Sequence, residues 1–355
     1  MHCPACNIKN KNPDKFNYSP ATIDKLALFD SSEILCCENC GFGMIEKDVE
    51  EQILQNYYSS EYSGKARKQA EIRPIDTRTG YSVDFRSLSQ LTLIKQFFSF
   101  PSDSTVLEIG AGAGGFLFML KQMNFKGRYI AFEPQEQAHE YLFDLGAEIE
   151  KKPFDVESSK KYKNSVDLVI MSHSLEHFNP RKISETLSGI QSMLNKGGCF
   201  FCEVPNANLS LYQNAGERVV PHLSFFSINA LKCFIKKAEL KLIFLNACGN
   251  SQLEKNQEQR IIEGNRVGSY LFDLDEENGV LRNRKYHQFI QTNKLKERRR
   301  QKIISLFITF LGKNITLYLF DFIRRIKQQP HYSLVNSNYF LYEKDREFLR
   351  MIALK

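Results

Sequence analysis

Between residues 105 and 246 the chain alternates short apolar runs with stretches whose apolar positions recur at three- and four-residue spacing. Thr105–Ile109, Arg128–Phe132, Val166–Met171, Cys199–Val204 and Lys241–Asn246 read as buried strands. Gly114–Met123, Gln135–Leu145, Arg181–Leu194 and Asn229–Ala238 read as helices between them. That alternation predicts an α/β fold, a parallel sheet with helices on both faces. Upstream, Leu88, Leu91, Ile94 and Phe98 predict a helix over 84–99, which Pro101 ends. The first 45 residues lack helical periodicity and carry paired cysteines, the mark of a small metal-stapled module. Residues 46–104 read as a linker with N-terminal helices and 105–250 as the core. Residues 251–355 read as a basic helical insertion or lid, with Asn338–Glu343 as the expected last strand.

Composition narrows the class. With 355 residues, 42% hydrophobic and 25% charged, the chain is globular and wholesale disorder is excluded. No apolar run reaches the ~18 residues of a membrane span, and Met1–Cys6 has neither the basic nor the apolar region of a secretory signal. Nine cysteines in such a chain point to a reducing, cytoplasmic compartment. The net charge of +7 is uneven: residues 281–330 hold thirteen Lys/Arg against Glu297 and Asp321, a local +11 that leaves about −4 elsewhere. The basic run around Arg298-Arg299-Arg300 beside the apolar stretches 303–311 and 315–323 suits a lid packed on the core. Peripheral membrane contact through 294–325 and nucleic-acid binding are the weaker alternatives, the former because the chain has no Trp.

Cys3-x-x-Cys6 and Cys37-x-x-Cys40 stand 30 residues apart, and Gly41 permits the turn after the second pair. Two such turns complete a tetrahedral Zn²⁺ site whose four thiolates leave no place for water, so the metal expected here is structural. A redox pair would sit at a strand-to-helix junction, which this region does not resemble.

Val106–Ile109 runs into Gly110-Ala111-Gly112-Ala113-Gly114-Gly115, a strand, a glycine-rich turn and a helix. Gly110, Gly112 and Gly115 satisfy the dinucleotide fingerprint, yet Glu108 lies in the strand end, where a pyrophosphate would be repelled and the ammonium of S-adenosylmethionine would be favoured. Glu133 closes the next strand, in place to accept hydrogen bonds from both ribose hydroxyls. With Val166–His177, Leu194–Gly198 and Cys199–Asn206, these segments resemble class I S-adenosylmethionine-dependent methyltransferases over about 105–246. Cys37–Gly43 and Tyr57–Tyr62 extend the resemblance to a bacterial branch with an N-terminal zinc ribbon, which includes deoxysugar C-methyltransferases. The resemblance implies a Rossmann-like seven-stranded sheet. It also implies cofactor contacts from Glu108, Gly110, Gly112, Gly114, Glu133, Pro134, Ser172 and His173, with Phe154 and Asp155 beside the adenine.

Methyl transfer is an in-line displacement that needs an aligned nucleophile and, for a weakly acidic acceptor, a base. His222, before the helix beyond the fifth strand, is one candidate base, and His177 is another on the sulfur side of the cofactor. In the sugar C-methyltransferases the corresponding segment reads Tyr-x-Glu-His, whereas this chain has Val219-Val220-Pro221-His222, and their C-terminal lobe has no counterpart in 250–355. The function expected is methyl transfer to a small-molecule or carbohydrate-like acceptor, with O-, N- and C-methylation open. The rivals are an RNA methyltransferase, which would hold nucleic acid with the ribbon and basic segment, and a non-catalytic scaffold that keeps the fold. The oligomeric state is not legible.

Overall fold

The structure is a computed structural model that describes residues 2–10, 12–18, 32–61, 85–207, 222–251, 273–275, 280–282 and 346–355. Its centre is a seven-stranded sheet. In chain order the strands are β4 (Val106–Ile109), β5 (Tyr129–Phe132), β6 (Glu148–Glu150), β7 (Val166–Ser172), β8 (Leu194–Pro205), β10 (Lys241–Ser251) and β13 (Arg346–Leu354). They lie in the order β10-β13-β8-β7-β4-β5-β6. All neighbours from β8 to β6 are parallel, and β13 runs antiparallel to both β8 and β10. This is the seven-stranded Rossmann-like arrangement that the resemblance implies, one of its seven strands being reversed.

Each predicted element from 84 to 251 is present, with ends shifted by a few residues. The helices are α1 (Glu51–Asn56), α2 (Phe85–Phe97), α3 (Gly115–Gln122), α4 (Glu136–Asp144), α5 (Val156–Lys161), α6 (Ile183–Met193) and α7 (Ile228–Lys237). The central strands are buried on both faces: every residue of β4 and β5 is below one-tenth exposed. Leu107, Val169, Phe200 and Met351 pack on one side of the sheet with α6 and α7, and Val106, Ile170, Phe201 and Ile352 on the other with α2, α3 and α4. Burial of this kind, at about 25 cal/mol per Å² of apolar surface, is the main force holding the sheet.

The expected strand at Asn338–Glu343 lies outside the described residues. The strand that completes the sheet is β13, which opens on Arg346-Glu347 and whose apolar run is broken by Arg350, so it does not read as buried. Arg350 is fully buried nonetheless. It stands directly opposite Glu203 of β8, and its Nε donates to Glu203 Oε2 at 2.5 Å while Nη2 donates to Ser89 Oγ of α2 at 2.6 Å. The basic segment 281–330 also falls almost wholly outside the described residues, apart from the pairing of β11 (Asp273–Asp275) with β12 (Val280–Arg282). Among the described residues no helix is long and apolar enough to cross a membrane.

The N-terminal residues do not close into a separate unit. Strands β1 (Asp14–Tyr18), β2 (Ser32–Cys36) and β3 (Gly43–Ile45) form a sheet whose fourth member is β9 (Ser224–Phe225), contributed from beyond the fifth core strand. Phe42 packs edge-on to Phe234 of α7 at 5.1 Å and against Phe226 at 5.5 Å. Ser227 caps α7 by accepting from the Ala230 amide at 3.0 Å, and its hydroxyl donates to the Cys40 carbonyl at 2.5 Å. Lys237 reaches back to the Pro4 carbonyl and Asn7 Oδ1, each at 2.6 Å.

Replacing one partner of a buried ion pair strands the other charge in a medium that solvates it poorly. Arg350→Met should therefore destabilise the protein by about 3–5 kcal/mol. Glu203→Leu combined with Arg350→Met should recover most of that loss. Urea unfolding of the two variants and the parent checks both expectations.

Candidate active site

In an open α/β sheet the binding crevice lies at the carboxyl ends of the strands, where the strand order reverses. Here the order reverses between β4 and β7: the chain runs from β4 outward to β5 and β6, then returns to β7 and β8 on the other side. The glycine turn lies at this point. Gly110, Gly112 and Gly114 all take left-handed backbone, with φ of +77°, +52° and +72°. A side chain at Gly110 would run into Ser174 across the crevice, whereas one at Gly112 would meet nothing, so Gly112 faces open space.

Glu133 follows β5 directly and is only 3% exposed. Its Oε2 accepts the Gly112 amide at 2.5 Å and its Oε1 the Gln135 amide at 2.9 Å. Burial raises its pKa, and these two amides pull the other way. A carboxylate has about four lone-pair sites, so two backbone donors leave two for a ligand. Pro134 lies half-buried beside it. Glu108 is buried in β4, where its carboxylate takes a hydrogen bond from the Tyr129 hydroxyl of β5.

Two of the expected adenine neighbours have structural work of their own. Phe154 is 5% exposed and packs edge-on to Phe132 at 5.3 Å, so it belongs to the core beneath the crevice rather than to a stacking surface. Asp155 caps α5, accepting from the Ser158 amide at 2.6 Å and its hydroxyl at 2.7 Å. Burial, which would raise the Asp155 pKa, is outweighed by these bonds and by Lys152, and the pKa is lowered.

Beyond β7 the polar groups form one connected series. Gln90 of α2 donates to Ser172 Oγ at 2.7 Å. His173 has a φ of +54°, and Glu203 holds it there twice: the Glu203 carbonyl accepts the His173 amide at 2.8 Å, and Oε1 lies 3.0 Å from Nε2. Arg86 stands 3.6 Å from the same Oε1. Burial would raise the Glu203 pKa, but Arg350, His173 and Arg86 hold it well below the usual carboxylate range. The other nitrogen of His173, Nδ1, faces Glu176 Oε1 at 3.3 Å. Glu176 is 1% exposed; burial opposes its ionisation, yet His173, His177 and His222 hold its pKa down at about 2.

His177 and His222, distant in sequence, are neighbours, with ring centroids 5.0 Å apart. The Tyr58 hydroxyl lies 3.0 Å from His177 Nδ1, and the His222 amide donates to the Tyr18 hydroxyl at 2.7 Å. Burial, reinforced by His177, lowers the His222 pKa to about 3, so the ring is neutral at pH 7. The groups placed against the His222 backbone and ring come from the N-terminal sheet and the turn after β7. Glu176, Glu203, Arg350, Tyr18 and Tyr58 are the residues that sequence reasoning missed here. An acidic residue inside the apolar run Cys199–Val204 was the one available signal.

The four N-terminal cysteines also converge. Cys3 and Cys40 sulfurs are 3.6 Å apart, as are those of Cys6 and Cys37, and all four lie within 4.8 Å of one another. A tetrahedron of ~2.3 Å zinc–sulfur bonds has edges of ~3.8 Å, so the four positions fit such an ion. Cys36 is buried on β2 outside this group.

Residues 85–244 match the family model of a methyltransferase domain. No curated protein matches the chain. Among solved structures, a SAM-dependent methyltransferase from Archaeoglobus fulgidus is 17% identical over 76% of this chain and 94% of its own, with a TM-score of 0.41. Another SAM-dependent methyltransferase, from Thermotoga maritima, is 17% identical over 57% of this chain and 89% of its own, with a TM-score of 0.43. A phosphoethanolamine N-methyltransferase from Haemonchus contortus is 10% identical over 97% of this chain and 68% of its own, again at 0.43. The strand order and the left-handed glycine turn joined to a carboxylate after β5 agree with the match over 85–244: this part of the chain is similar to a methyltransferase domain.

Proposed function

We propose that the protein transfers a methyl group from S-adenosylmethionine to a small-molecule or carbohydrate-like acceptor bound between the crevice and the ribbon sheet. The observation that carries this reading is the position of His177 and His222, which face one another between the turn after β7 and the strand that joins the ribbon. Glu133 would hold the ribose, with its two remaining lone-pair sites matching two hydroxyls, and Gly112 would let the ligand approach the backbone. Glu108 would face the ammonium group, while Ser172 and His173 would flank the adenosine. When bound, the cofactor supplies an electrophilic methyl on sulfur. The chain's part is to align the acceptor with it and to keep bulk water out.

The four clustered sulfurs support a structural zinc in the N-terminal module, which we assign to a zinc ribbon of the branch related to deoxysugar C-methyltransferases. That module contributes Tyr18 to the acceptor side, so the metal's role would be to fix one wall of the site. Nine free thiols support a reducing compartment such as the cytoplasm.

The reading is tested by incubating the protein with methyl-labelled cofactor and separate host fractions of small metabolites, lipids and RNA. Label should enter the small-metabolite fraction; label confined to RNA would replace this acceptor class with nucleic acid, and label in none would favour a scaffold. In calorimetry with S-adenosylhomocysteine, Glu133→Ala should weaken binding by 10²-fold or more, since two charge-assisted hydrogen bonds are worth ~1.5–3 kcal/mol each. Metal analysis should find one zinc per chain, and Cys37→Ser should lose it together with several degrees of melting temperature.

A further inference from the structure

The turn after β7 and the strand that joins the ribbon bring together a second set of metal-ligating side chains, far in chemistry from the four thiols. Glu176, His177 and His222 each offer a ligand atom, and these atoms lie within 4.8 Å of one another. Their backbone is braced to hold this arrangement. The Leu223 amide donates to the Glu176 carbonyl at 2.9 Å, and the Leu223 carbonyl accepts the Ile45 amide of β3 at 3.1 Å. One residue thus ties the turn, the His222 segment and the ribbon together.

The second observation is the state of Glu176. Its side chain is 1% exposed, and neither carboxylate oxygen has a partner in hydrogen-bond geometry. His173 Nδ1, 3.3 Å from Oε1, is the one neighbour at ion-pair distance among the described residues, and it carries charge only when protonated. A buried carboxylate is ordinarily paired or bound to a metal, because its desolvation is otherwise uncompensated. The other groups are arranged as they would be around an ion. The Tyr58 hydroxyl, 3.0 Å from His177 Nδ1, fixes the ring, the role that outer-shell partners play for metal-binding imidazoles.

We propose that Glu176, His177 and His222 bind a divalent first-row transition ion of the Mn²⁺, Fe²⁺ or Zn²⁺ class, and that its open positions take oxygen atoms of the methyl acceptor. Two imidazoles and one carboxylate suit such an ion and leave coordination positions free, whereas the four-thiolate site is closed. This rests on the reading of the crevice as a methyltransferase site and narrows it to an oxygen acceptor. The cation favours the deprotonated form of a hydroxyl placed against it. The acceptor's proton leaves to solvent, an oxygen lone pair forms the new bond to the methyl carbon, and the carbon–sulfur bond breaks with its electron pair returning to sulfur. Acceptor and sulfonium thereby become a methyl ether, a neutral thioether and one proton.

The test uses the full chain with its thiolate site as purified. Mn²⁺, which is too hard to displace zinc from four thiolates, is titrated while the electron paramagnetic resonance of the free aqua ion is followed, and Zn²⁺ uptake beyond the first equivalent is measured in parallel. One bound equivalent is expected, with affinity at least tenfold weaker in Glu176→Gln, His177→Gln and His222→Gln, and about tenfold weaker in Tyr58→Phe. Each variant is checked by calorimetry with S-adenosylhomocysteine, which should still bind. Should a variant fail that check, pulsed resonance on wild type with Mn²⁺ decides, because coupling to two imidazole nitrogens is required. Absence of both Mn²⁺ and second-equivalent Zn²⁺ binding, equal affinity in folded variants, or no nitrogen coupling would overturn the site. Methyl transfer to a nitrogen or carbon atom would overturn the oxygen assignment alone. A wild-type protein that binds Mn²⁺ but not S-adenosylhomocysteine would instead sink the reading of the crevice.

Discussion

Glu203 is a carboxylate with no exposed surface in the middle of the seven-stranded sheet, and the arrangement around the crevice follows from the need to compensate it. Transferring such an ion out of water costs several kcal/mol, which only close, well-directed partners offset. Arg350 supplies the main one from the adjacent strand, so β13 has to lie between β8 and β10 in the register that sets the two residues opposite each other. Ser89 takes the other end of the guanidinium and thereby seats α2 across the sheet edge. His173 takes the remaining carboxylate oxygen and is held in a left-handed conformation that directs its other nitrogen toward Glu176. A chain of polar groups thus runs from the reversed strand to Glu176 in the turn after β7.

The second constraint is the short strand β9. With two residues it adds little ladder energy, yet its pairing with β3 makes the N-terminal sheet and the post-β8 segment one structure. Tyr18, Tyr58, His177 and His222 come from four separate stretches of sequence and meet where the two parts join. The module with the cysteines is therefore packed into the main body rather than an appendage. Its core residues, among them Cys3, Cys40, Phe42 and Met44, are continuous with those of the large sheet.

Much of this was legible before any coordinates. The strands of the sheet read clearly because burial on both faces demands uninterrupted apolar runs, and the glycine turn and Glu133 read because their spacing follows from one strand, one turn and the next strand. The two cysteine pairs read for the same reason: local spacing fixes local geometry. What did not read depends on partners remote in the chain. Arg350 breaks an apolar run and disguises β13 as surface, and its compensation lies 147 residues earlier. Phe154 and Asp155 adjoin in sequence, but one turns into the core and the other caps a helix. The neighbours of His222, Tyr18 at its amide and His177 at its ring, lie far off in the chain.

The placement of β13 also has a consequence for biosynthesis. Ser251 ends β10 and Arg346 begins β13, so at a translation rate of ~5–20 residues per second roughly 5–20 s separate the emergence of the two strands. During that interval the nascent chain holds every parallel strand of the sheet, but β8 presents an open edge and Glu203 lacks Arg350, its fully buried partner. An unpaired edge of apolar residues is a template for pairing with another chain, and a buried charge disfavours premature closure of the sheet around it. The carboxylate that locks the finished fold is thus also a reason for the unfinished one to stay open until its last strand arrives.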